Sequence, residues 1–433
     1  MVLDIKDLEK ELEKTTGFYN FQFDSKEVKK NTVFFALKGA KSDGHSFLKE
    51  AAEKGALIAV VDKSYPGDSF GLKLVKVDDV VETLQSLAKK ALETKKGTRV
   101  GITGSVGKTT TKEFTVAILE GKYSVTKNPR SFNSQRGLPL SILNFADKQD
   151  IIVMEMGMSE KGEMDRLSSI AQIEVGLITK VGLVHAQNFE NLEEIVKEKL
   201  KIFCEKTRKK IVNHDLLKYF KKEECITFSI KNCEADYFLK IEKDKIVIFE
   251  KEEVIFPKIF EETHIIEDFL AAYVLARELG MKKEEIEKRL SFLKTSPLRF
   301  EKVEKNGILF IKDCYNANGV STRAALENLP DVKGKKIAVL GDMMLGKFCK
   351  QVHEEIGEIA AKNVDVLLSF GSETQSMIDA FKKNDERKKA FLFTDLKKLA
   401  EKLNEIKNEG DLVLIKGTRS LEFEIFAFEE FSI

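Results

Sequence analysis

Cysteine is scarce in this sequence, and no two cysteines form a CxxC pair. The five thiols are scattered, at positions 204, 225, 233, 314 and 349. An odd number of dispersed cysteines argues against a disulfide framework, and the missing CxxC pair argues against a zinc site. The composition therefore predicts reduced thiols in a cytoplasmic protein.

Long apolar runs are also absent. No stretch approaches the roughly 20 apolar residues that a membrane-spanning helix needs, so no membrane span is expected. The first residues, MVLDIKDLEKELEK, lack the pattern of a secretory signal peptide. Both observations favour the cytoplasm.

The chain also lacks a large net charge of either sign. The chain has 72 lysines and arginines against 71 aspartates and glutamates, which gives a formal net charge of +1. Nucleic-acid-binding proteins usually carry a basic excess, so no nucleic-acid partner is expected.

The 433 residues suggest about three domains, and we predict boundaries that give regions 1–96, 97–296 and 297–433. Each region alternates short strands with helices, so the predicted fold class is α/β. We expect a small α/β N-terminal domain, a central P-loop domain with a doubly wound, mostly parallel sheet, and a C-terminal Rossmann-like sheet.

Particular segments support this division. In the first region the last helix is predicted to end at Gly97, because glycine is common just after the last residue of a helix. In the central region DIIVMEMG and VGLITKVG are near-continuous apolar runs, typical of strands buried on both faces. The third region opens with FEKVEKNGILFIKD, which predicts a hairpin that turns at Asn306 and Gly307.

The segment GITGSVGKTTTKEF carries the strongest single motif, a strand followed by a glycine-rich turn and a helix. Glycines allow backbone N–H groups to surround phosphate oxygens, and the helix N-terminus adds partial positive charge. Lys108 is placed to reach the β- and γ-phosphates, and the Thr109 hydroxyl to bind Mg²⁺. The predicted nucleotide-binding residues here are Thr103, Gly104, Ser105, Val106, Gly107, Lys108, Thr109 and Thr110. The pattern departs from the standard P-loop at Ile102, where glycine is usual, and the alternative is a glycine-rich turn without a ligand.

One lysine in the segment EEIVKEKLKIF, residues 193–203, occupies an unusual place. On a helical wheel Lys199 lies within an apolar arc, whereas Lys197 and Lys201 point away from it. The apolar arc consists of Leu192, Ile195, Val196, Leu200, Ile202 and Phe203. Burial would depress the pKa of this amine and favour its neutral form. The alternative is a lysine that extends its ammonium group past the edge of a core face.

A P-loop by itself fits a kinase, a switch GTPase or a ligase. A switch GTPase needs a guanine-reading NKxD motif, and TKNP at 126–129 lacks the aspartate. The motif therefore leaves a kinase and a ligase open.

Several segments, taken in order, resemble the Mur ligase family of ATP-dependent, amide-forming ligases in peptidoglycan precursor synthesis. They are TGSVGKTT, NPRSFNSQRGLPLSIL, VMEMGMSEKGEM and KVGLVHAQNFENLEEIVKEKLKIF. Within the family, KDCYNANG, VLGDMMLG and LIKGTRSLEFE resemble the branch that adds D-alanyl-D-alanine to UDP-N-acetylmuramoyl-tripeptide. The N-terminal FDSKEVKKNTVFFALKGAKSDGHSF also matches, so the resemblance runs through all three regions.

The resemblance implies a two-step reaction of ATP, through an acyl phosphate and a tetrahedral intermediate, in a protein that is usually a monomer. It implies two Mg²⁺ ions, held by Thr109, Glu155, His185 and a carbamate formed from CO₂ on Lys199. The implied catalytic residues are Lys108, Asn133, His185, Lys199 and Arg299. Asp268, Arg299 and Asp313 would contact ATP, on the adenine, γ-phosphate and ribose. The implied substrate residues are Ser25, Lys26, His45, Tyr315, Asn316, Asn318, Lys416 and Arg419.

This sequence departs from the family pattern at four of these places. Ser134 stands where the family often has a second asparagine, and Asp268 where it has an adenine-reading asparagine. Because an ionised aspartate only accepts hydrogen bonds, one adenine contact is expected to be lost. Lys26 replaces an arginine and loses its fork geometry, and Gly319 replaces a proline, which makes its loop less rigid.

Two alternatives stay open. The sister ligase of the family adds the third amino acid, lysine or diaminopimelate, but its AHxP-type segment is not matched by CYNANG. A P-loop binding or regulatory module without ligase chemistry would leave Glu155, Lys199, His185 and Arg299 without a shared purpose.

Overall fold

The computed structural model describes residues 2–3, 5–14, 18–39, 42–184, 188–343, 345–383, 385, 388–418, 421 and 423. Within these residues the strands form three sheets that follow one another along the chain. None of the helices described there combines the length and the apolar character that crossing a membrane requires.

The first sheet has five parallel strands in the order β1-β5-β4-β3-β2. Its elements are β1 Val2–Leu3, α1 Ile5–Lys14, β2 Asn20–Gln22, β3 Thr32–Phe35, α2 Leu48–Glu53, β4 Ala56–Asp62, β5 Lys73–Val77 and α3 Val80–Thr94.

The second sheet has nine strands in the order β14-β13-β12-β11-β10-β9-β6-β8-β7. Strands β6 to β12 are parallel, and β13 and β14 continue the sheet as an antiparallel pair. The strands are β6 Lys96–Thr103, β7 Val125–Lys127, β8 Lys148–Glu155, β9 Val175–Ile178, β10 Lys209–Asn213, β11 Ile226–Ser229, β12 Tyr237–Ile241, β13 Lys245–Phe249 and β14 Glu253–Pro257. The helices are α4 Lys108–Leu119, α5 Gly137–Leu143, α6 Glu163–Ala171, α7 Leu192–Leu200, α8 Thr263–Glu278 and α9 Lys283–Glu287.

The third sheet has six strands in the order β15-β16-β20-β17-β18-β19, and only its first pair is antiparallel. Its elements are β15 Glu301–Lys305, β16 Ile308–Lys312, α10 Gly319–Glu327, β17 Lys336–Gly341, α11 Cys349–Asn363, β18 Val366–Phe370, α12 Gln375–Lys382, β19 Lys389–Phe393, α13 Leu396–Ile406 and β20 Leu412–Lys416.

Strand β8 shows why the segment DIIVMEMG is a near-continuous run of apolar residues. Ile151 and Val153 join the core that contains α4 and α8, whereas Ile152 and Met154 join the core that contains α3, α5, α6 and α7. Alternate side chains are therefore buried on opposite faces of the sheet. The predicted α/β class and the doubly wound, mostly parallel sheet are confirmed.

The hairpin predicted at the start of the third region is confirmed. Strands β15 and β16 pair antiparallel, with Lys305 opposite Ile308. Asn306 and Gly307 have φ values of 53° and 71°. Two positive φ angles define the tight turn that matches the twist of the flanking strands.

The prediction that a helix ends at Gly97 is wrong. Helix α3 ends earlier, and Gly97 lies in β6, where the pairing register with β8 shifts. Its φ is 127°, and a Cβ there would lie 2.5 Å from the carbonyl oxygen of Gln149. Glycine is needed for this close approach rather than for a helix stop. The predicted boundary between residues 96 and 97 also falls within this strand.

Helix α7 ends at Leu200, so Ile202 and Phe203 belong to the turn that follows it and not to the predicted helical arc. Leu192 is 42 % exposed, whereas Lys199 is 2 % exposed. The expectation that Lys199 lies on the buried face is confirmed.

Replacing Gly97 by alanine tests the close approach of β6 to β8. We expect Gly97→Ala to lower the free energy of unfolding by about 3 kcal/mol, since it adds backbone strain and a contact with a main-chain oxygen. Gly71 is the matched control, because its φ is 85° and a Cβ there meets nothing within 4 Å. Gly71→Ala should cost about 1 kcal/mol. Equal losses in urea unfolding would contradict this account.

Candidate active site

The loop 104–107 connects β6 to α4 and needs its two glycines. Gly104 and Gly107 have φ values of 155° and 84°. A Cβ at Gly104 would overlap the hydroxyl of Thr179, and one at Gly107 would overlap the carboxylate of Asp268. The loop is therefore held between β9 and α8 in a conformation that larger residues would not adopt.

Two lysines donate to the same backbone oxygen in this loop. Lys108 Nζ lies 2.8 Å, and Lys199 Nζ 2.9 Å, from the carbonyl oxygen of Gly104. Burial lowers the pKa of Lys108, and it lowers the pKa of Lys199 well below its usual range, with the charge of Lys108 adding to the effect. The neutral form of Lys199 is therefore favoured beside the loop 104–107.

Glu155, the last residue of β8, lies across the loop from these lysines and is 1 % exposed. Its Oε1 accepts hydrogen bonds from Asn133 Nδ2 at 2.6 Å and from the Thr109 hydroxyl at 3.2 Å. Within the described residues its Oε2 accepts no hydrogen bond, although Lys112 Nζ lies 3.4 Å away.

The donor set around Glu155 fits a magnesium ion. A carboxylate and a hydroxyl are hard oxygen ligands of the kind that Mg²⁺ prefers. Glu155 Oε2 accepts no hydrogen bond within the described residues, and its ion pair with Lys112 at 3.4 Å leaves lone pairs of the carboxylate for a further cation. Glu155 and Thr109 are therefore the residues that would hold the ion.

Arg299, at the start of the third region, reaches the first turn of α4. Its Nη2 donates to the Thr109 hydroxyl at 3.1 Å, and its guanidinium lies 4.3 Å from the centre of the Tyr315 ring. The residues on either side, Leu298 and Phe300, have positive φ values of 61° and 51°. Such strain persists only where the surroundings determine it, and here it aims the arginine at this turn.

Asp313 is paired with Lys416, which is 1 % exposed. Lys416 Nζ lies 2.6 Å from Asp313 Oδ2 and also donates to the carbonyl oxygens of Asp313 and Asn316, at 3.4 and 3.2 Å. Because these bonds use all three of its protons, the expectation that Lys416 grips a substrate carboxylate is not supported. It positions the loop that follows β16 instead.

Two further predicted residues of this loop, Asn316 and Asn318, differ in how their side chains are engaged in hydrogen bonds. Asn318 caps α10: its side chain accepts from the N–H of Ser321 at 2.9 Å. Its amide oxygen is thus committed to the helix. Asn316 is exposed, and its Oδ1 accepts from the N–H of Ala317 at 3.0 Å.

Most of the predicted residues line one cavity of about 660 Å³ between the second and third sheets. Those on its wall are Gly104, Ser105, Val106, Gly107, Lys108, Thr109, Thr110, Asn133, Glu155, Lys199, Asp268, Arg299, Asp313, Tyr315, Asn316, Asn318 and Lys416. Thr103 is not on that wall; it is fully buried, and its carbonyl oxygen accepts from the N–H of Thr179.

The surroundings of Asp268 on α8 bear on the prediction that its carboxylate only accepts hydrogen bonds, which stays a prediction. Burial, with a further contribution from Glu267, raises the pKa of its carboxyl well above the usual range. A protonated carboxyl both donates and accepts, as an asparagine amide does. Ser134 also lines the cavity, and its Oγ accepts from the N–H of Gly137 at 3.3 Å.

The three predicted residues of the first region are not on the cavity wall. Ser25 donates to Glu50 at 2.7 Å, and Lys26 is exposed. Both ring nitrogens of His45 are engaged: Nε2 accepts from the N–H of Asp62 at 3.1 Å, so Nδ1 donates to Asp43 at 2.6 Å. Two further predicted residues, His185 and Arg419, lie outside the described residues.

Sequence reasoning missed Lys112, which is fully buried beneath Glu155. Its Nζ donates to the carbonyl oxygens of Asn128 and Arg130 at 2.9 and 2.6 Å. The available signal was its position four residues after Lys108, on the same helix face. Lys180, which follows β9 and lines the cavity 3.8 Å from Glu267, was also missed.

Comparisons with known proteins match the chain along most of its length. Three family models match in succession: the Mur ligase family catalytic domain at residues 18–91, the Mur ligase middle domain at 102–273, and the Mur ligase glutamate ligase domain at 298–419.

Two curated relatives are UDP-N-acetylmuramoyl-tripeptide–D-alanyl-D-alanine ligases. The protein from Bacillus subtilis is 32% identical over 94% of this chain and 92% of its own length. The protein from Treponema pallidum is 31% identical over 94% of this chain and 93% of its own length. A crystal structure of a MurF ligase from Thermotoga maritima in complex with ADP is also similar. It is 31% identical, with a TM-score of 0.76 over 94% of this chain and 96% of that one.

The ion pair beneath the cavity can be tested by stability. We expect Lys112→Met to lower the free energy of unfolding by about 3 to 5 kcal/mol, because it leaves the Glu155 carboxylate buried without its cation. The double variant Lys112→Met/Glu155→Gln should recover part of that loss. As a control, Lys127→Met removes a partly exposed ion pair with Glu113 and should cost less than about 1 kcal/mol. Strictly additive effects of the two central substitutions in urea unfolding would contradict the coupling.

Proposed function

The chain belongs to the Mur ligase family, and we propose that it joins D-alanyl-D-alanine to UDP-N-acetylmuramoyl-tripeptide in peptidoglycan precursor synthesis, with ATP converted to ADP and phosphate. The observation that carries this proposal is a single cavity on which Lys108, Lys199 and Arg299 face Glu155. Its walls come from both the second and the third sheets, which suits a reaction that brings three substrates together.

The main barrier of such a reaction is electrostatic, because a carboxylate has to approach a triphosphate. Fixed positive charge at the reacting phosphate lowers that barrier, and charge held in place before the reaction needs no reorganisation. Lys108 contacts the loop 104–107 and Arg299 contacts Thr109 in the first turn of α4, where the N–H groups and the N-terminus of the helix add further positive potential.

In the first step, an oxygen of the tripeptide's terminal carboxylate forms a bond to the γ-phosphorus of ATP. The bond from that phosphorus to the bridging oxygen breaks, and ADP leaves with the electron pair. We assign Lys108 to the β- and γ-phosphates and Arg299 to the γ-phosphate. The contact between Arg299 and Thr109 already links the third region to the first turn of α4, so closure of the two parts would complete the site.

In the second step, the amine of D-alanyl-D-alanine attacks the acyl carbon, and the tetrahedral intermediate collapses with loss of phosphate. The amine loses a proton to solvent or to a nearby base. Tyr315 and Asn316 line the cavity where the third region meets the loop, and we assign them to this junction. Asn318 and Lys416 act by positioning, since their polar atoms cap α10 and hold Asp313.

We assign Mg²⁺ to Glu155 and Thr109, with Asn133 orienting the carboxylate through its 2.6 Å hydrogen bond. The ion would neutralise charge on the phosphates and on the acyl oxygen. His185 stays a predicted ligand, and so does the second of two ions. Asp313 stays the predicted ribose contact, and Asp268 the predicted adenine contact.

We further propose that Lys199 is carbamylated. Lys199 is 2 % exposed, and burial lowers the pKa of its amine, which favours the neutral nucleophile that reacts with CO₂. The nitrogen of the neutral amine forms a bond to the carbon of CO₂ and releases one proton, so a neutral group becomes an anion with two oxygens. Such a group would accept hydrogen bonds or help to hold a cation next to Lys108.

Ser25, Lys26, His45 and Arg419 stay predicted contacts of the UDP-linked substrate and of the dipeptide. We propose that the enzyme acts as a cytoplasmic monomer in cell wall biogenesis, and through it in cell shape, the cell cycle and cell division. Among the described residues Cys204, Cys225, Cys233 and Cys349 are free thiols, which fits a reducing compartment.

The substrate requirement separates this proposal from its rivals. We expect ADP release in a coupled assay to require both UDP-N-acetylmuramoyl-tripeptide and D-alanyl-D-alanine. Free lysine or diaminopimelate with the corresponding UDP-dipeptide should give no turnover, since the sister ligase alone adds the third residue. ATP turnover that is independent of both amide-forming substrates would instead favour a nucleotide-dependent binding module.

The carbamate can be tested by chemical rescue. We expect Lys199→Ala to lose activity by a factor of about 100 or more, as removal of a preorganised charged group does, and short carboxylic acids to restore part of it. Lys197→Ala is the control, because Lys197 is an exposed neighbour paired with Glu193, and its activity should match wild type. Absence of rescue, together with no added mass of CO₂ on the wild-type protein, would contradict the assignment.

A further inference from the structure

A second cluster of chemically reactive side chains lies outside the cavity, at the carboxyl edge of the third sheet. Asp342, Cys349 and His353 each offer one ligand atom within 4.8 Å of the others. Cys349 Sγ and His353 Nε2 both lie 3.7 Å from Asp342 Oδ1. None of these residues has a role in the proposed reaction.

Local structure explains why the three meet. Asp342 directly follows β17, and Cys349 is the first residue of α11. His353 comes four residues later, on the same face of the helix. Gly371, which follows β18, has no side chain to obstruct this approach: a Cβ there would lie 2.8 Å from Asp342 Cβ.

The hydrogen bonds of His353 leave one nitrogen directed into the cluster. Its Nδ1 lies 2.9 Å from the carbonyl oxygen of Glu373 and 3.5 Å from Cys349 Sγ. Because a carbonyl oxygen only accepts, Nδ1 carries the proton, and Nε2 carries a lone pair. The side chain is fully buried, and Nε2 has no hydrogen-bond partner within the described residues. A buried lone pair that faces a carboxylate is unfavourable unless a cation lies between them.

We propose that Asp342, Cys349 and His353 form a binding site for one zinc ion. Zinc–ligand bonds of 2.0 to 2.3 Å in a tetrahedron place neighbouring ligand atoms about 3.3 to 3.6 Å apart. The two separations from Asp342 Oδ1, to Cys349 Sγ and to His353 Nε2, are 3.7 Å and need only a small contraction, and all three ligand atoms lie within 4.8 Å of one another. The carbonyl oxygen of Glu373 would orient the imidazole from behind, as such groups do at metal-bound histidines.

The ligand chemistry selects the kind of metal. A thiolate and an imidazole favour zinc over magnesium, which prefers oxygen ligands alone. This site is therefore chemically distinct from the one assigned at Glu155. Asp342 is the most exposed of the three side chains, so a fourth coordination position would face solvent.

Zinc binding at this site involves no oxidation or reduction. Burial raises the pKa of the Cys349 thiol and lowers the pKa of His353, so the free protein holds a protonated thiol and a neutral imidazole. Binding forms the sulfur–zinc bond and releases the thiol proton to the buffer. A nucleophilic role is disfavoured, because Cys349 is 7 % exposed and the His353 Nδ1 proton is directed to Glu373.

The site also bears on the cavity already described. Met343 and Leu345, just after Asp342, both line that cavity. The hydroxyl of Thr322 on α10 lies 3.7 Å from the sulfur of Met343. A zinc ion shared by Asp342 and α11 would tie this part of the cavity wall to a helix of the third sheet.

Metal binding to the full chain tests the proposal. After chelator treatment and without magnesium, calorimetric titration with zinc chloride should show one tight site and release of one proton. Cobalt should give the near-ultraviolet absorption of a thiolate–cobalt bond. Cys349→Ser, Asp342→Asn and His353→Gln should each weaken zinc binding about 100-fold or more, beyond the effect of losing an outer-shell partner. Added zinc should raise the melting temperature of wild type but not of these variants.

Cys233→Ser is the control, because this exposed thiol is the alternative binder, and zinc affinity should not change. Unaltered affinity in Cys349→Ser would overturn the proposal, as would loss of the site in Cys233→Ser or a cobalt spectrum without thiolate absorption. If the buried His353→Gln variant fails to fold by circular dichroism, the Cys349 and Asp342 variants decide. None of these measurements depends on ligase activity.

Discussion

The burial of the Glu155 carboxylate is the constraint on which the rest of the site depends. The Glu155 carboxylate is 1 % exposed, so the cost of removing its negative charge from water has to be offset by hydrogen bonds and positive charge. The groups that provide them are Asn133, Thr109, Lys112 and, through Thr109, Arg299. Each comes from a different part of the chain or a different turn of α4. The first turn of the helix, the loop after β7 and the start of the third region are thus tied to the end of a single strand.

Apolar packing between the second and third sheets stabilises that arrangement. One apolar core runs from Ile102 on β6 through Phe269 on α8 to Leu340 on β17, so the second and third sheets share buried surface. This shared core holds the third region where Arg299 reaches the first turn of α4. The charged groups therefore face one another across a cavity whose position is set by hydrophobic contact, while their chemistry is set by burial and by neighbouring charges.

Much of the fold was predictable because it depends on local patterns. The apolar run of β8, the glycine-rich turn before Lys108 and the hairpin at Asn306 each follow from short stretches of sequence. Most of the predicted nucleotide-binding residues line one cavity. This too was predictable, because the carboxyl ends of parallel strands meet at one edge of a sheet. The wrong prediction for Gly97 shows what local patterns do not reveal. Gly97 is needed because the main chain of Gln149 packs closely against it, and Gln149 is distant in the sequence.

The sequence by itself determined the family, the α/β class, the phosphate-binding loop and the anomalous position of Lys199, because periodicity and ordered motifs are properties of neighbouring residues. Only the tertiary structure decided the partners of buried charges. It placed Lys416 against Asp313 and Lys112 beneath Glu155. It also placed Asp342 beside Cys349 and His353, a cluster that the spacing of the cysteines does not predict. Side-chain charge is encoded locally, but its desolvation and its counter-charge arise only when distant segments pack together.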